Sequence, residues 1–389
     1  METIDVVVVG GAIVGSAAAY FLACEPSFRG SVLVLEKDAS YQHCATGRSA
    51  ASIRHQFSTP ENIQASQFGT AFIREAGSRL AIDGETPDVG FREAGYLFLA
   101  QAAQRGVLEA NHRIQRELGV HAALLAPDAI AERFPWLATG DLDIASLGLS
   151  GEGWLDAYGL MRALRRKAIA LGARYRESEV TGLVRQGRRI THVEMSDGSR
   201  VACSLVINAA GSGAREVARS AGIALPVESR KRCVFHFTSP ARLPNCPLVI
   251  DPAGAWFRPE GDGFICGISP PDDPECVDFE VDHSLWDEVL WPALAQRVPG
   301  FEAARVRHAW AGHYDVHPLD HNVILGAHPE VDNLLFANGF SGHGLQQAPA
   351  VGRALAELVV HGGFRTLDLT RLGWQRVIEG RPLREVNVV

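Results

Sequence analysis

The chain opens on a short apolar segment. Ile4–Val9 is rich in Val and, from Val6 on, continuous rather than alternating, the pattern of a parallel strand buried on both faces. Gly10–Gly11–Ala12 then breaks the run. Ile13–Cys24, rich in Ala and free of charge, predicts a helix. Gly30 resets the chain, and Ser31–Leu35 repeats the Val/Leu pattern as far as Glu36. These segments form a compact βαβ unit. The strand–glycine style returns twice, at Ser204–Gly213 (SLVINAAGSG) and at Asn333–Gly344 (NLLFANGFSGHG), and Ala348–His361 reads as a helix. Between Pro226 and Pro318 the texture differs. Short alternating runs such as Cys233–Thr238 and Ala255–Arg258, separated by Pro and Asp clusters, predict antiparallel strands. The pattern therefore predicts an α/β chain: a nucleotide-binding domain built from separated segments, with a sheet-based second domain inserted. No internal repeat or low-complexity tract interrupts it.

Composition narrows the function classes. Across 389 residues, 47% are apolar and 21% charged, so a sizeable core forms without disulfide or metal staples. The net charge of −8 argues against a nucleic-acid partner. Seven scattered cysteines show no CxxC spacing, which disfavours zinc sites and redox dithiols and makes a reducing compartment, the cytoplasm, the default. The 19 uncharged residues from Val6 to Cys24 approach the length of a membrane span. However, Met1–Asp5 carries Glu2 and Asp5 and no Lys or Arg, and three glycines interrupt the run. No transmembrane segment is expected.

Gly10-Gly11-Ala12-Ile13-Val14-Gly15 fits G-x-G-x-x-G with Ala12 at the second glycine. The first glycine permits the tight turn, the second lets backbone approach a pyrophosphate, and the third lets helix pack on strand. The pyrophosphate would sit at the positive helix N-terminus. Glu36 ends the second strand, where an acid hydrogen-bonds a ribose hydroxyl and repels a 2′-phosphate. The motif alone does not separate NAD from FAD, and a glycine-punctuated unit without ligand stays open. Ala45–Ser58 (ATGRSAASIRHQFS) departs from a regular βαβ rhythm. Its small residues would let backbone lie against a flat or phosphate ligand; the alternative is a polar surface loop.

Together, Val6–Gly15 with Glu36, the ATGRSAA stretch, NAAG at 208–211 and GFSGHGLQ at 339–346 resemble the D-amino-acid oxidase-like superfamily of FAD-dependent amine oxidoreductases. ATGRSAA resembles the D-arginine dehydrogenase branch, and GFSGHGLQQAPAVGRALAEL resembles the FAD-dependent oxidoreductase domain-containing proteins related to the sarcosine oxidase β subunit. The resemblance implies a Rossmann-like FAD-binding domain (1–80, 150–220 and 320–389). It also implies an inserted α+β substrate-binding domain (81–149 and 221–319). It implies that Gly10, Ala12, Ile13, Val14 and Gly15 cradle the pyrophosphate and that Glu36, with Lys37 beside it, holds the adenosine ribose. Thr46, Gly47, Ser49, Ala50 and Ala51 would line the flavin and its phosphates. Val180 would meet the adenine, and Gly211 would close the pyrophosphate side. Gly312, Gly339, Gly342, His343, Gly344 and Gln346 would lie along the isoalloxazine ring. Relatives that attach flavin covalently use a Cys near 312 or a His near 49; Gly312 and Arg48-Ser49 stand there, so FAD is expected to be non-covalent. The sarcosine oxidases place a Lys beside the flavin, where it promotes reaction with oxygen. The corresponding stretch, Gly263–Ile268, has none, which favours a dehydrogenase or slow oxidase using O2, a quinone or another acceptor.

The implied reaction oxidises the C–N bond of a small amino acid or N-substituted amino acid to an imine, by hydride transfer to flavin N5, and water then hydrolyses the imine. An Arg is the usual grip on such a carboxylate, because its planar fork pairs bidentately. Arg54, in IRH at 53–55, is the first candidate and Arg258 in AWFRPE the second, with Trp256 as a pocket wall. Each also fits an ordinary ion pair or strand pair. A Lys that partners the Arg in sarcosine oxidases falls at Gln346, so a two-cation clamp is not intact. Tyr314 and His343 are candidates for holding substrate or tuning the flavin; either also fits a satisfied structural group. Arg230–Arg232 reads as a solvated face. His313, His317 and His321 have i, i+4 spacing, but Pro318 argues against a helix, and no metal site is expected. The alternatives are an NAD-dependent dehydrogenase, a catalytically silent FAD-binding scaffold or assembly factor, and one subunit of a larger amine oxidase. Homo- or hetero-oligomers fit any of these.

Overall fold

The computed structural model describes residues 2–386. Its first sheet runs, in spatial order, Ile324–His328, Val331–Asn338, Arg200–Asn208, Thr3–Val9, Val32–Glu36 and Arg174–Glu177. The pairings are parallel except at the Ile324–His328 edge. A hairpin of Val180–Gln186 and Arg189–Met195 extends from Arg200–Asn208. The unbroken Val run has a direct cause. Val6 and Val8 join a core under the helices Ile13–Cys24 and Gly344–His361, whereas Ile4, Val7 and Val9 join a second core on the opposite face. Over Val6–Val9, where both faces are covered, there is no position for a polar residue; Thr3 and Asp5 sit at the exposed start of the strand.

The second sheet has eight strands in the order Arg305–Val316, Glu228–Thr238, Gly263–Gly267, Trp256–Glu260, Leu248–Ile250, Tyr96–Ala100, Ile144–Gly148 and Ala122–Leu125. All pairings are antiparallel save that of Leu248–Ile250 with Tyr96–Ala100. Alternation sorts its side chains. Leu97, Leu99, Phe235, Phe237, Phe257, Phe264 and Ala311 face a core closed by Phe301, whose ring lies 4.9 Å from that of Phe264. Residues of the other parity, among them Tyr96, Phe98 and Trp256, pack on the opposite face. Arg258 and Tyr314 share that parity. Two residues of each partner, Ser52–Ile53 and Gly153–Trp154, form a short antiparallel ribbon between the sheets.

The segment ending at Val386 straps the molecule together. Its Glu385 is buried and accepts hydrogen bonds from the backbone N–H groups of Ser58 (2.7 Å) and Thr59 (3.2 Å), from both their hydroxyls, and from the Asn62 amide. Thr59 is the N-cap of the helix Pro60–Arg74 but offers no side-chain cap of its own, so Glu385 satisfies that helix end and its positive dipole. Glu385→Ala strands these donors and is expected to lower stability by about 2–3 kcal/mol. A urea midpoint equal to wild type would refute this role.

Among the described residues, no helix is long and apolar enough to cross a membrane. All seven cysteines are free.

Candidate functional site

The glycine turn joins the strand Thr3–Val9 to the helix Ile13–Cys24. Gly10 has φ +95°, and a Cβ there would lie 2.5 Å from the Ala209 carbonyl oxygen. A Cβ at Gly15 would lie 1.8 Å from the Gly10 carbonyl oxygen, so helix and turn touch through backbone alone. The half-exposed Ala12 is the N-cap and supplies no side-chain cap, and Ile13 N–H has only a long contact, 3.4 Å, to Thr46 Oγ1. The first-turn donors, with Val14 beside them, are thus presented to an anion. Gly211, with φ +53° and open space around it, faces the same turn through Ala209.

Glu36 accepts from Gly11 N–H (2.7 Å) and Asp38 N–H (3.0 Å) through its two oxygens. Each oxygen keeps a lone pair for a ribose hydroxyl. Its own carbonyl accepts from Ser178 N–H at 2.8 Å, which brings Val180 alongside; Lys37 is exposed at the rim.

The run Thr46–Ala51 links this end to the second sheet. Thr46 touches Ile13, Gly47 N–H approaches Cys44 Sγ, and Ser49 Oγ accepts from Ala51 N–H at 2.9 Å. The Ala50 carbonyl accepts two bonds from Arg258, at 3.0 and 2.8 Å. Arg258 is therefore committed to the chain itself: its remaining nitrogen meets Pro259 O and Glu260, and its guanidinium lies over Trp154. Its place is under the Ala50–Ala51 bend, where Ala51 has φ +58°. Trp256, two residues away, packs across Gly267 toward Tyr96 and Phe98. Gly312 backs onto Arg48, whose guanidinium reaches Ala311 O at 2.7 Å.

The second glycine turn, Gly339–His343, opens the helix Gly344–His361. Gly339, Ser341 and Gly342 all have positive φ. Asp315 holds the turn: its carboxylate accepts from Gly339 N–H at 2.7 Å, and its carbonyl from Ser341 N–H at 2.9 Å. Burial pushes the Asp315 carboxyl up to about 6, against hydrogen bonds from the backbone N–H groups of Gly339 and Phe340. Tyr314 stands over Gly342, where a Cβ would lie 2.5 Å from its ring. Burial also raises the Tyr314 phenol, opposed by Arg232 and Arg54. A bare, positive-φ backbone flanked by an aromatic ring suits a flat ligand. Nearby, Asn338 is fully buried and neither atom of its amide has a hydrogen-bond partner.

Arg54 lies where these elements meet and is 3% exposed. Gln346 Oε1 accepts its N–H at 2.8 Å, Gln56 O accepts from Nη1 at 2.6 Å, and Nη2 lies 3.3 Å from His343 Nε2. The guanidinium stacks 4.0 Å from the Phe57 ring centroid and 5.3 Å from that of Phe98. Burial, and then the Arg54 charge, hold the His343 imidazole well below its ordinary value, so His343 is neutral and accepts from Arg54. Burial pushes Arg54 down too, opposed by Tyr96, Glu385, Glu152 and Tyr314, and the guanidinium stays cationic.

The structure thus gathers Arg54, His343, Gln346 and Tyr314 around the second glycine turn, with Trp256 and Arg258 on the facing sheet. Reading the chain missed Tyr96, Gln56, Glu152, Asp315 and Glu385. Glu152 left one trace, a lone acid between glycines in GLSGEGW. Arg230, Lys231 and Arg232, expected on a solvated face, instead pair with Glu228, Asp278 and Asp273 and are only partly exposed. His313 lies in the strand Arg305–Val316, and His317 and His321 lie in the turn after it, so they share no helix face. No group of three or more metal-ligating side chains forms among the described residues.

The sequence model of the family described as DAO, FAD dependent oxidoreductase, matches residues 5–358. The chain belongs to this family. It is 43% identical to FAD-dependent oxidoreductase domain-containing protein 1 of Xenopus laevis, covering all of this chain and 85% of that protein. It is 27% identical to mitochondrial sarcosine dehydrogenase of Mus musculus, over 93% of this chain and 40% of that protein. Among solved structures, the L-proline dehydrogenase of P. horikoshii superposes with a TM-score of 0.87 at 27% identity, covering 98% of this chain and 99% of that one. The protein is an FAD-dependent oxidoreductase of the DAO family, and its two-sheet α/β architecture is the family's fold. The residues present fit FAD: an uncapped helix end at a glycine turn, an acid at the end of the second strand, and a positive-φ turn beside an orphaned Asn338 amide.

Proposed function

We propose that this chain oxidises the C–N bond of a small amino acid or N-substituted amino acid. The observation that carries the reading is Arg54: a buried cation, bonded to a neutral His343 on the second glycine turn and walled by Phe57 and Phe98. A guanidinium in so dry a setting binds a carboxylate through two charge-assisted bonds. Bound FAD supplies the hydride acceptor, N5, and water hydrolyses the imine product. The chain's own residues do the orienting. Arg54 fixes the carboxylate end of the substrate. Tyr96, Tyr314 and Trp256, with the Phe98 ring, form the apolar wall that places the α-carbon and excludes water. Neutral His343 can accept a hydrogen bond, and a dry site beside the Arg54 cation disfavours an ammonium, so the substrate amine binds in the unprotonated form that hydride loss requires.

In this reading, the parts around the first sheet (1–80, 150–220 and 320–389) hold FAD and those around the second (81–149 and 221–319) hold substrate. Gly10–Gly15 takes the pyrophosphate, Glu36 and Val180 the adenosine, Thr46–Ala51 and Gly339–Gln346 the flavin. Arg258 acts by positioning Ala50. FAD is non-covalent, because Gly312 stands where relatives attach flavin through a Cys and Ser49 where they use a His; acid precipitation should release all of the yellow cofactor into the supernatant. The strand Gly263–Gly267 carries no Lys, which fits a dehydrogenase or slow oxidase passing electrons to a quinone-type acceptor or to O2. Seven free cysteines favour the cytoplasm.

Support comes from relatives whose names denote amine oxidation, sarcosine dehydrogenase and L-proline dehydrogenase. The test supplies purified holoprotein and a dye acceptor with glycine, sarcosine, proline and D- and L-amino acids, and traps carbonyl products with a hydrazine. Stoichiometric aldehyde or 2-oxo acid from one class supports the reading. No carbonyl from any of them, with the dye unreduced, counts against it.

A further inference from the structure

Glu152 is fully buried in the turn between the strands Ile144–Gly148 and Gly153–Trp154, and nothing in the C–N oxidation described above uses it. Its Oε1 accepts from His55 N–H at 2.6 Å and Gln56 N–H at 3.1 Å, and its Oε2 from Gln56 Nε2 at 2.8 Å. Gln56 continues the network, donating to Tyr96 O (3.0 Å) and accepting from Ser146 Oγ (2.6 Å). The chain makes room for this carboxylate: a Cβ at Gly148 would lie 1.7 Å from Glu152 Oε2. The residues it grips directly follow Arg54, and Gln56 O is itself a partner of the Arg54 guanidinium.

Three backbone and amide donors could be met by a neutral acceptor. A carboxyl group brings something an amide does not, a charge that comes and goes. Desolvation dominates here and pushes the Glu152 carboxyl up to about 7, against the bonds from Gln56 and His55 and the charge of Arg54.

We propose that Glu152 is a positioning residue for Arg54 whose protonation is coupled to the binding of the substrate carboxylate. This rests on the reading of Arg54 as the carboxylate grip. With Glu152 ionised, two carboxylates, Glu385 and Glu152, already act on Arg54, and an incoming carboxylate adds a third negative charge to a dry site. With Glu152 protonated, one of those charges is gone and the carboxylate meets less repulsion at Arg54. Binding therefore favours the protonated acid, and by linkage a proton is taken up when a carboxylate binds above the free-state value. The sign follows: affinity is highest below about pH 7 and falls as pH rises through it.

The other groups facing this network act differently. Tyr96 is raised by burial and stays neutral over this range. The His55 imidazole, held by Thr70, is lowered by burial to about 4 and stays neutral. Glu93, paired with Arg74, lies beyond Gly151 and is lowered. Glu385 also faces Arg54, fixed by Ser58 and Thr59. Asp315, at about 6, titrates on the second glycine turn, and its step would survive any change at 152.

The test titrates the holoprotein with acetate, glycolate and benzoate between pH 6 and 8.5, following the visible flavin spectrum, and measures proton exchange on binding in weak buffer at pH 8. Wild type should weaken at least about fivefold across the range and take up protons. Glu152→Gln should lose both the step near 7 and the uptake. A flat wild-type profile with binding intact overturns the inference, as does a Glu152→Gln profile that keeps the step. If that variant fails to hold flavin, the wild-type profile and proton uptake decide alone. Arg54→Gln separates the two layers. Unchanged carboxylate binding there overturns the grip itself, and so does a wild-type spectrum that none of the three ligands perturbs.

Discussion

Arg54→Gln is expected to leave bound flavin intact and to weaken substrate carboxylate binding by about a hundredfold or more. Two charge-assisted bonds in a dry pocket are worth roughly 3–4 kcal/mol, and each 1.4 kcal/mol is tenfold. Arg54→Lys keeps the charge and loses the fork, so it should fall between, near tenfold. Because Arg54 also supports Gln56 and stacks on Phe57, some stability goes with it; the denaturation midpoint of each variant separates that cost from the loss of grip. A KM for the amine within threefold of wild type, in a variant that folds and stays yellow, would remove Arg54 from the substrate site.

Gly15→Ala is expected to produce colourless protein. Its Cβ would sit 1.8 Å from the Gly10 carbonyl oxygen, far inside contact distance, and neither group is a flexible side-chain tip. The helix must move off the turn that presents its N–H groups, and both the pyrophosphate contact and the Glu36–Gly11 bond go with it. FAD affinity should fall by at least about a hundredfold, some 2.7 kcal/mol. Ala12 is the control: it is already a half-exposed methyl at the cradle, and Ala12→Gly should hold FAD as wild type does. A Gly15→Ala protein that purifies with a full complement of FAD would place the cofactor elsewhere.

What could be read along the chain was what lies close along it. The first strand, the glycine turn and the helix Ile13–Cys24 were legible because both-face burial, a backbone contact and Ala-rich packing each leave a local mark. The helix expected from Ala348 begins four residues earlier, at Gly344. The polar Gln346 and Gln347 hid its start. Both are buried, and they serve Arg54 N–H and Asn62 from within the helix. Arg54 and Arg258 stood out as arginines beside small or apolar residues. Their different uses did not, because the Ala50 carbonyl that claims Arg258 is 208 residues away. Glu152 and Glu385 were invisible for the same reason: their partners lie 96 and 327 residues off. A buried carboxylate looks like any surface acid until the fold brings its donors together.

The most direct test of C–N oxidation by this protein is an anaerobic visible spectrum, scanned before and after addition of N-methyl, D- and L-amino acids. Oxidised flavin bands that bleach fully with one class, and fail to bleach in Arg54→Gln at the same concentration, are the predicted result. Flavin bands that no amine bleaches, in protein that dithionite still reduces, would contradict it and point to an FAD-binding scaffold or a missing subunit.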